Sequence, residues 1–159
     1  MSRTIIIYYS HTGNTKKIAE QIQKKIGADI AEIRTVQEYT GTYDEILEQG
    51  KKEVESGYCP KIYPLEIDLK QYDRVILGTP VWWYSYAPAL GTFLRDYDLS
   101  EKDIILLTTS GGWMGHIIED IERTVPGIEI KNYISLQFNE NEMVTPMSDF
   151  ERWMEALAE

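Results

Sequence analysis

Two hydrophobic rhythms alternate along this chain: short unbroken apolar runs, and longer stretches with an apolar residue every three or four positions. Ile5–Tyr8 (IIIY), Val75–Leu77 (VIL) and Ile104–Leu107 (IILL) are of the first kind, as expected of parallel strands covered on both faces. Asp29–Ile33 (DIAEI) and Ile128–Leu136 are weaker or alternate, in the manner of edge strands. The helical faces fall between them. Ile18, Ala19, Ile22 and Ile26 form one that Gly27 ends, and Leu90, Phe93, Leu94 and Tyr97 form another with Pro88 in its first turn. Ile117, Ile118, Ile121 and Val125 precede a Pro126-Gly127 stop. Met147, Phe150, Met154 and Leu157 make the last, started by Thr145-Pro146 or by the box Ser148–Glu151 (SDFE).

Strands alternating with helices predict right-handed βαβ units: an α/β fold in three layers, α/β/α, around a five-stranded parallel sheet of order 2-1-3-4-5. The whole chain, 1–159, reads as one domain, a size that allows a substantial core. The stretch Thr35–Ile67 is longer than a simple connection and holds an extra helix, Tyr43–Glu55, with Tyr43, Leu47, Gly50 and Val54 on one face. It is expected to be an insertion within the domain.

In an open parallel sheet, ligands bind beyond the carboxyl ends of strands where the chain diverges to either side, here between the first and third strands. Three loops should meet there: Ser10–Thr15 (SHTGNT), Thr79–Pro88 (TPVWWYSYAP) and Thr108–Gly115 (TTSGGWMG). The first offers Ser10, Thr12, Asn14 and Thr15 plus the free N–H groups of a helix start, a setting that favours an anion. It is neither GxxxxGK[ST] nor GxGxxG, since Gly13 is its only glycine. The second sets Trp82 beside Trp83, with Tyr84 and Tyr86 close behind, so an indole can stack on a planar ring. In the third, Gly111 and Gly112 let backbone approach a ligand, and Trp113 adds a flat surface.

A phosphate grip, aromatic walls and a bare backbone edge describe a planar heterocycle on a phosphorylated tail. At these residues the chain resembles the flavodoxin family, whose phosphate loop reads Thr/Ser-x-Thr-Gly-x-Thr. It is most similar to a branch with a Pro-x-Trp-Trp second loop and a Ser-Gly-Gly third loop. The strand order is itself the known flavodoxin arrangement, with FMN at the switch point, so its agreement is no separate argument. The resemblance implies FMN as cofactor. Ser10, His11, Thr12, Gly13, Asn14 and Thr15 would lie at its phosphate; Thr79, Pro80, Val81, Trp82, Trp83 and Tyr84 would line the isoalloxazine; and Thr109, Ser110, Gly111, Gly112 and Trp113 would approach the pyrimidine edge. His11 and Trp113 are bulkier than that pattern leads one to expect, and the stacking aromatic is left open. A terminal phosphomonoester needs only hydroxyls and helix N–H groups, without the metal and lysine of triphosphate transfer.

The expected function is an FMN-binding electron-transfer flavoprotein shuttling electrons between redox proteins. The alternative is an FMN-dependent NAD(P)H or quinone oxidoreductase acting directly on small substrates; a third reading is a non-redox phospholigand binder. The formal charge of −10 argues against nucleic acid and suits redox partners with basic docking surfaces. One carboxylate about 10 Å from the flavin, at an effective dielectric of about 20, is worth ~1.7 kcal/mol, or roughly 70 mV before screening.

The single cysteine, Cys59, excludes an internal disulfide and CxxC chemistry. Leu65, six positions later, stands where a low-molecular-weight phosphatase needs Arg, and Tyr9-Ser10 stand where a receiver domain needs acids. There is no GxSxG elbow and two histidines make a poor metal site, so neither a catalytic triad nor a metal is expected. His11 and His116 read as solvated loop residues or as a pH-sensitive pair near the flavin. The opening MSRTIIIYYS is too short for a signal-peptide core, and no run approaches a membrane span. Cytoplasmic location, without membrane insertion, is the expectation.

Overall fold

A computed structural model describes residues 3–158; the outermost residues of the expected domain, Met1, Ser2 and Glu159, lie outside them. Five parallel strands carry the structure: β1 (Thr4–Tyr8), β2 (Asp29–Glu32), β3 (Arg74–Trp82), β5 (Asp103–Ser110) and β6 (Ile130–Asn139). They lie side by side as β2-β1-β3-β5-β6, the expected order. Two short strands bring the total among the described residues to seven rather than five: β4 (Ser85–Tyr86) pairs antiparallel with β3, and β7 (Glu142–Met143) with β6. Two residues are too few to carry a hydrophobic period, which is why neither was visible in the sequence.

The helices are α1 (Asn14–Ile26), α2 (Tyr43–Ser56), α3 (Pro88–Asp96), α4 (Ile117–Thr124) and α5 (Met147–Ala158). Alternate residues of each central strand feed two separate cores. Ile5, Ile7, Val75, Leu77, Ile104 and Leu106 pack with Leu90, Phe93, Ile117 and Ile121 of α3 and α4. Ile6, Ile76, Ile105 and Leu107 pack with Ile18, Ile22, Phe150 and Met154 of α1 and α5. A sheet buried on both faces needs apolar side chains at every position, hence the unbroken runs. The start of α5 differs from one expected signal: Asp149 and Phe150 N–H donate to the Pro146 carbonyl. Thr145-Pro146, rather than the box from Ser148, begins the helix.

Two features position the site. At Gly78 in β3 a Cβ would stand 2.9 Å from Tyr8 Cβ and 3.4 Å from Thr15 Cγ2, so only glycine lets the first turn of α1 settle this close to the sheet. The excursion carrying α2 is closed at its neck, where Thr35 and Ile62 form an antiparallel bridge and Val36 N–H donates to the Lys61 carbonyl. The helix itself is fixed by a capping box between Thr42 and Glu45, and by Gly57 in the left-handed conformation at its end. Its buried positions are Gly50 and Glu53, whereas Tyr43 (77 % exposed) and Leu47 (38 %) are uncovered. Of the face expected through Tyr43, Leu47, Gly50 and Val54, only the Gly50–Val54 end is covered, and Tyr43 and Leu47 are not.

Candidate functional site

At the carboxyl ends of β1, β3 and β5, a cavity of about 470 Å³ is lined by His11, Thr12, Val81, Trp82, Trp83, Tyr84, Ser110, Gly111 and Trp113. The three loops thus converge as expected. Residues 43–56 contribute a fourth wall, since Tyr43, Ile46, Leu47 and Gly50 of α2 also line it. These were missed in the sequence. The signal for them was an extra helix with apolar residues that the core does not use. Gly50 matters by its smallness, because a Cβ there would lie 3.4 Å from Trp82 and 3.8 Å from Trp83 Nε1.

The other expected residues lie around the cavity rather than on it. Ser10 Oγ accepts from Gly13 and Lys16 N–H, both at 3.2 Å. Gly13, at φ 101°, is the N-cap of α1. The N–H groups of Asn14 and Thr15 have no carbonyl partner inside the helix, as in any first turn. Asn14 Nδ2 donates to the Glu140 carbonyl (2.8 Å), and Thr15 Oγ1 pairs with Thr109 Oγ1 at 2.8 Å in a buried contact. One hydroxyl donating to the other uses a single proton, so the pair keeps a second to offer. Thr79 is fully buried and holds the loop, accepting from Ala87 N–H and donating to the Pro80 carbonyl. Pro80 lies within β3, in register with Thr109 of β5. Gly112 is exposed, with open space where a Cβ would point.

β3 continues through Trp82 and returns as β4, and Trp82 faces Ser85 across the ladder. Trp83 (φ 48°) and Tyr84 (φ 65°) form the two-residue turn, both left-handed. Asn-Gly is the preferred occupant of such a turn. Left-handed bulky residues cost ~1–3 kcal/mol each and persist only where their surroundings hold them. Here Trp83 Nε1–H donates to the Leu47 carbonyl (3.0 Å) and Lys51 Nζ sits 5.3 Å from its ring. His116 N–H donates to the Tyr84 carbonyl at 2.9 Å. Gly115 lies flat against that carbonyl, where a Cβ would be 2.1 Å from the oxygen.

Trp82 belongs to a half-buried cluster, edge-on to Tyr39 (5.0 Å between centroids), His11 (5.7 Å) and Tyr9 (5.9 Å). Beneath it Glu53, 9 % exposed, accepts from Tyr39 Oη (2.6 Å) and Gln49 Nε2 (2.8 Å). Burial raises the Tyr9 and Tyr39 phenol pKa values, and Glu53 adds to both. His11 keeps an exposed edge, but partial burial among its neighbours lowers its pKa. The two histidines have separate partners: His11 faces Tyr39 and Trp82, whereas His116 Nδ1 bonds Asp120 at 2.6 Å. At the cavity mouth Tyr84 and Trp113, 54 % and 65 % exposed, lie 5.3 Å apart and tilted.

Together these define an open α/β protein with a cavity at the switch point of the sheet, a helix terminus at one end and indoles at the other. The chain belongs to the flavodoxin family, whose description, Flavodoxin, matches residues 3–157. It is 32 % identical over 84 residues to the flavodoxin of Haemophilus influenzae, covering 53 % of this chain and 34 % of that one. It is also 32 % identical over 87 residues to flavodoxin 1 of Escherichia coli K12, covering 55 % and 35 %. The matched segments therefore span about a third of those relatives. In fold it is similar to a Bacteroides eggerthii structure assigned as a flavoprotein (TM-score 0.83, 24 % identity, 100 % and 99 % of the two chains). A Lactobacillus acidophilus flavoprotein in complex with FMN is similar too (TM-score 0.77, 22 % identity, 96 % and 99 %). Among the described residues no helix is long and apolar enough to cross a membrane.

Proposed function

We propose that the cavity binds FMN and that the chain is an electron-transfer flavoprotein of the cytoplasm, passing electrons between proteins whose docking faces are basic. The observation that carries this reading is the join between a ring-sized aromatic cavity and the start of α1, where the Asn14 and Thr15 N–H groups have no carbonyl partner within the helix. Small-molecule sites occupy roughly 300–1,000 Å³, and about 470 Å³ falls in that range. Thr12 stands on the wall of the ring cavity, two and three residues before the N–H groups of Asn14 and Thr15. A dianionic phosphate would be met there by dipoles, hydroxyls and the partial charge of α1. Gly111 and Gly112 leave open space for a ring edge to approach backbone.

When bound, FMN supplies the electron storage and the chain supplies orientation and electrostatics. Trp82 and Trp83 would present indole surface to the ring, held by Tyr9, His11 and Tyr39 on one side and by the Leu47 carbonyl on the other. The net charge of −10 opposes the gain of negative charge at the ring and so lowers its potential. In this reading the excursion at 35–67 is part of the same domain, with α2 covering the ring.

FMN titration followed by stepwise reduction in visible light tests the proposal. The expected result is a coloured complex that passes electrons only when a partner protein is present. Steady NAD(P)H consumption with a quinone and no partner would favour the direct oxidoreductase instead. Thr12→Ala should weaken FMN binding about 10-fold or more, the cost of one hydrogen bond to a charged group, while riboflavin affinity stays within about two-fold. Equal losses for both ligands would contradict the phosphate assignment.

A further inference from the structure

The structure assigns to Asp120, which does not line the ring cavity, the task of positioning that cavity's aromatic wall. Asp120, Ser85 and His116 instead line a second cavity, of about 430 Å³, behind the β3–β4 hairpin. One oxygen of the carboxylate, Oδ2, takes Ser85 Oγ–H at 2.6 Å from the hairpin's return strand and His116 Nδ1 at 2.6 Å from the end of the third loop. The other, Oδ1, takes Arg123 NH1 at 3.3 Å. A second tie runs in parallel one turn along, where Thr124 Oγ1 donates to the Asp120 carbonyl (2.8 Å) and meets Tyr86 Oη (2.9 Å).

The two groups that meet at Oδ2 come from the segments that must agree for the wall to exist. Ser85 directly follows the left-handed pair Trp83-Tyr84, and His116 donates its own N–H to the Tyr84 carbonyl. The carboxylate thus closes a ring of contacts: Tyr84 to His116, His116 to Asp120, Asp120 to Ser85, and Ser85 back along the chain to Tyr84. Loops two and three are held as one piece. The spacing of Tyr84 and Trp113 at the mouth is the visible product. The side chain of Asp120 is 14 % exposed, so water competes weakly for these bonds. An asparagine keeps one oxygen able to accept, but it loses the charge that strengthens both bonds and sets its amide donor against the Arg123 donor.

The role in flavin binding rests on the FMN reading, but the clamp does not, and the experiment separates them. In the flavin-free chain, hydrogen exchange of the amides at 83–85 and 113–116 should speed up in Asp120→Asn, with exchange in β1 and β5 unchanged. In flavin titrations the same variant should lose about 10-fold in affinity for FMN and for riboflavin alike, because the ring wall is loosened and the phosphate end is not. Thr12→Ala should instead affect FMN alone. Ser85→Ala combined with His116→Asn should cost no more when Asp120→Asn is added, since all three act through one carboxylate. Unchanged exchange at both segments overturns the proposal, as does wild-type affinity for both flavins. If the parent chain binds no flavin while the exchange result holds, the FMN reading falls and the clamp stands.

Discussion

Replacing Gly115 with alanine should unseat the aromatic turn, and the magnitude follows from two terms. At φ 68° an L-residue sits in the left-handed region, at a cost of about 1–2 kcal/mol. The new methyl would also lie 2.1 Å from the Tyr84 oxygen, a backbone atom that cannot rotate aside. One strand of the contact must retreat, and the His116 N–H to Tyr84 bond goes with it, a net loss of ~0.5–1.5 kcal/mol. The combined loss is about 1.5–3.5 kcal/mol, or roughly 3–14 °C in Tm for a chain of this size. Urea and thermal unfolding followed by circular dichroism measure it. Two glycines supply the controls. Gly27 has a similar φ of 70° with open space around a Cβ, so Gly27→Ala carries the conformational term alone. Gly112→Ala meets nothing and has no positive φ, so it should be neutral within about 0.5 kcal/mol. A Gly115→Ala loss no larger than that of Gly27→Ala would refute the close approach.

Three further outcomes are expected. Glu53→Ala leaves the Tyr39 hydroxyl and the Gln49 amide without their acceptor and should cost about 1.5–3 kcal/mol in urea unfolding, with Glu53→Gln milder. Gly78→Ala pushes a methyl against Tyr8 and Thr15, and overpacking of ~1–3 kcal/mol should come with weaker FMN binding as the start of α1 is displaced. His11 has a folded pKa below its unfolded value of about 6.5, so the unfolded chain binds more protons just below that pH and stability falls as pH drops through it. Compared at pH 7 and pH 5, His11→Asn should lose less stability than the parent chain; equal losses would show that the ring is not enclosed.

Among the described residues, the three central strands were legible because burial on both faces writes continuous apolar runs, and the two outer ones from a weaker or alternating pattern; Gly27, Pro88 and Pro126-Gly127 mark helix ends in local chemistry. Convergence of the three loops was legible from strand order. What a given polar side chain faces was not. Thr12 and Thr15 read alike in sequence, yet one stands at the cavity and the other is buried against Thr109, a choice made by tertiary packing. The stretch Thr79–Trp82 read as loop because it looked built for a ligand, whereas pairing with β5 and β4 extends it as strand. On α2, periodicity selected the apolar residues, but Tyr43 and Leu47 are turned to the cavity while a carboxylate, Glu53, is buried. A residue kept apolar for a ligand and one kept apolar for the core leave the same mark.

The neck at Thr35 and Ile62 sets the helix beyond it apart as an excursion from the sheet. With only Gly50 and Glu53 well covered, α2 is anchored far less firmly than the strands it overlies, and segments of that kind open first and at the least free energy. The sheet can therefore stay intact while the roof lifts. Hydrogen exchange along α2 should run ahead of that in β1 and β3.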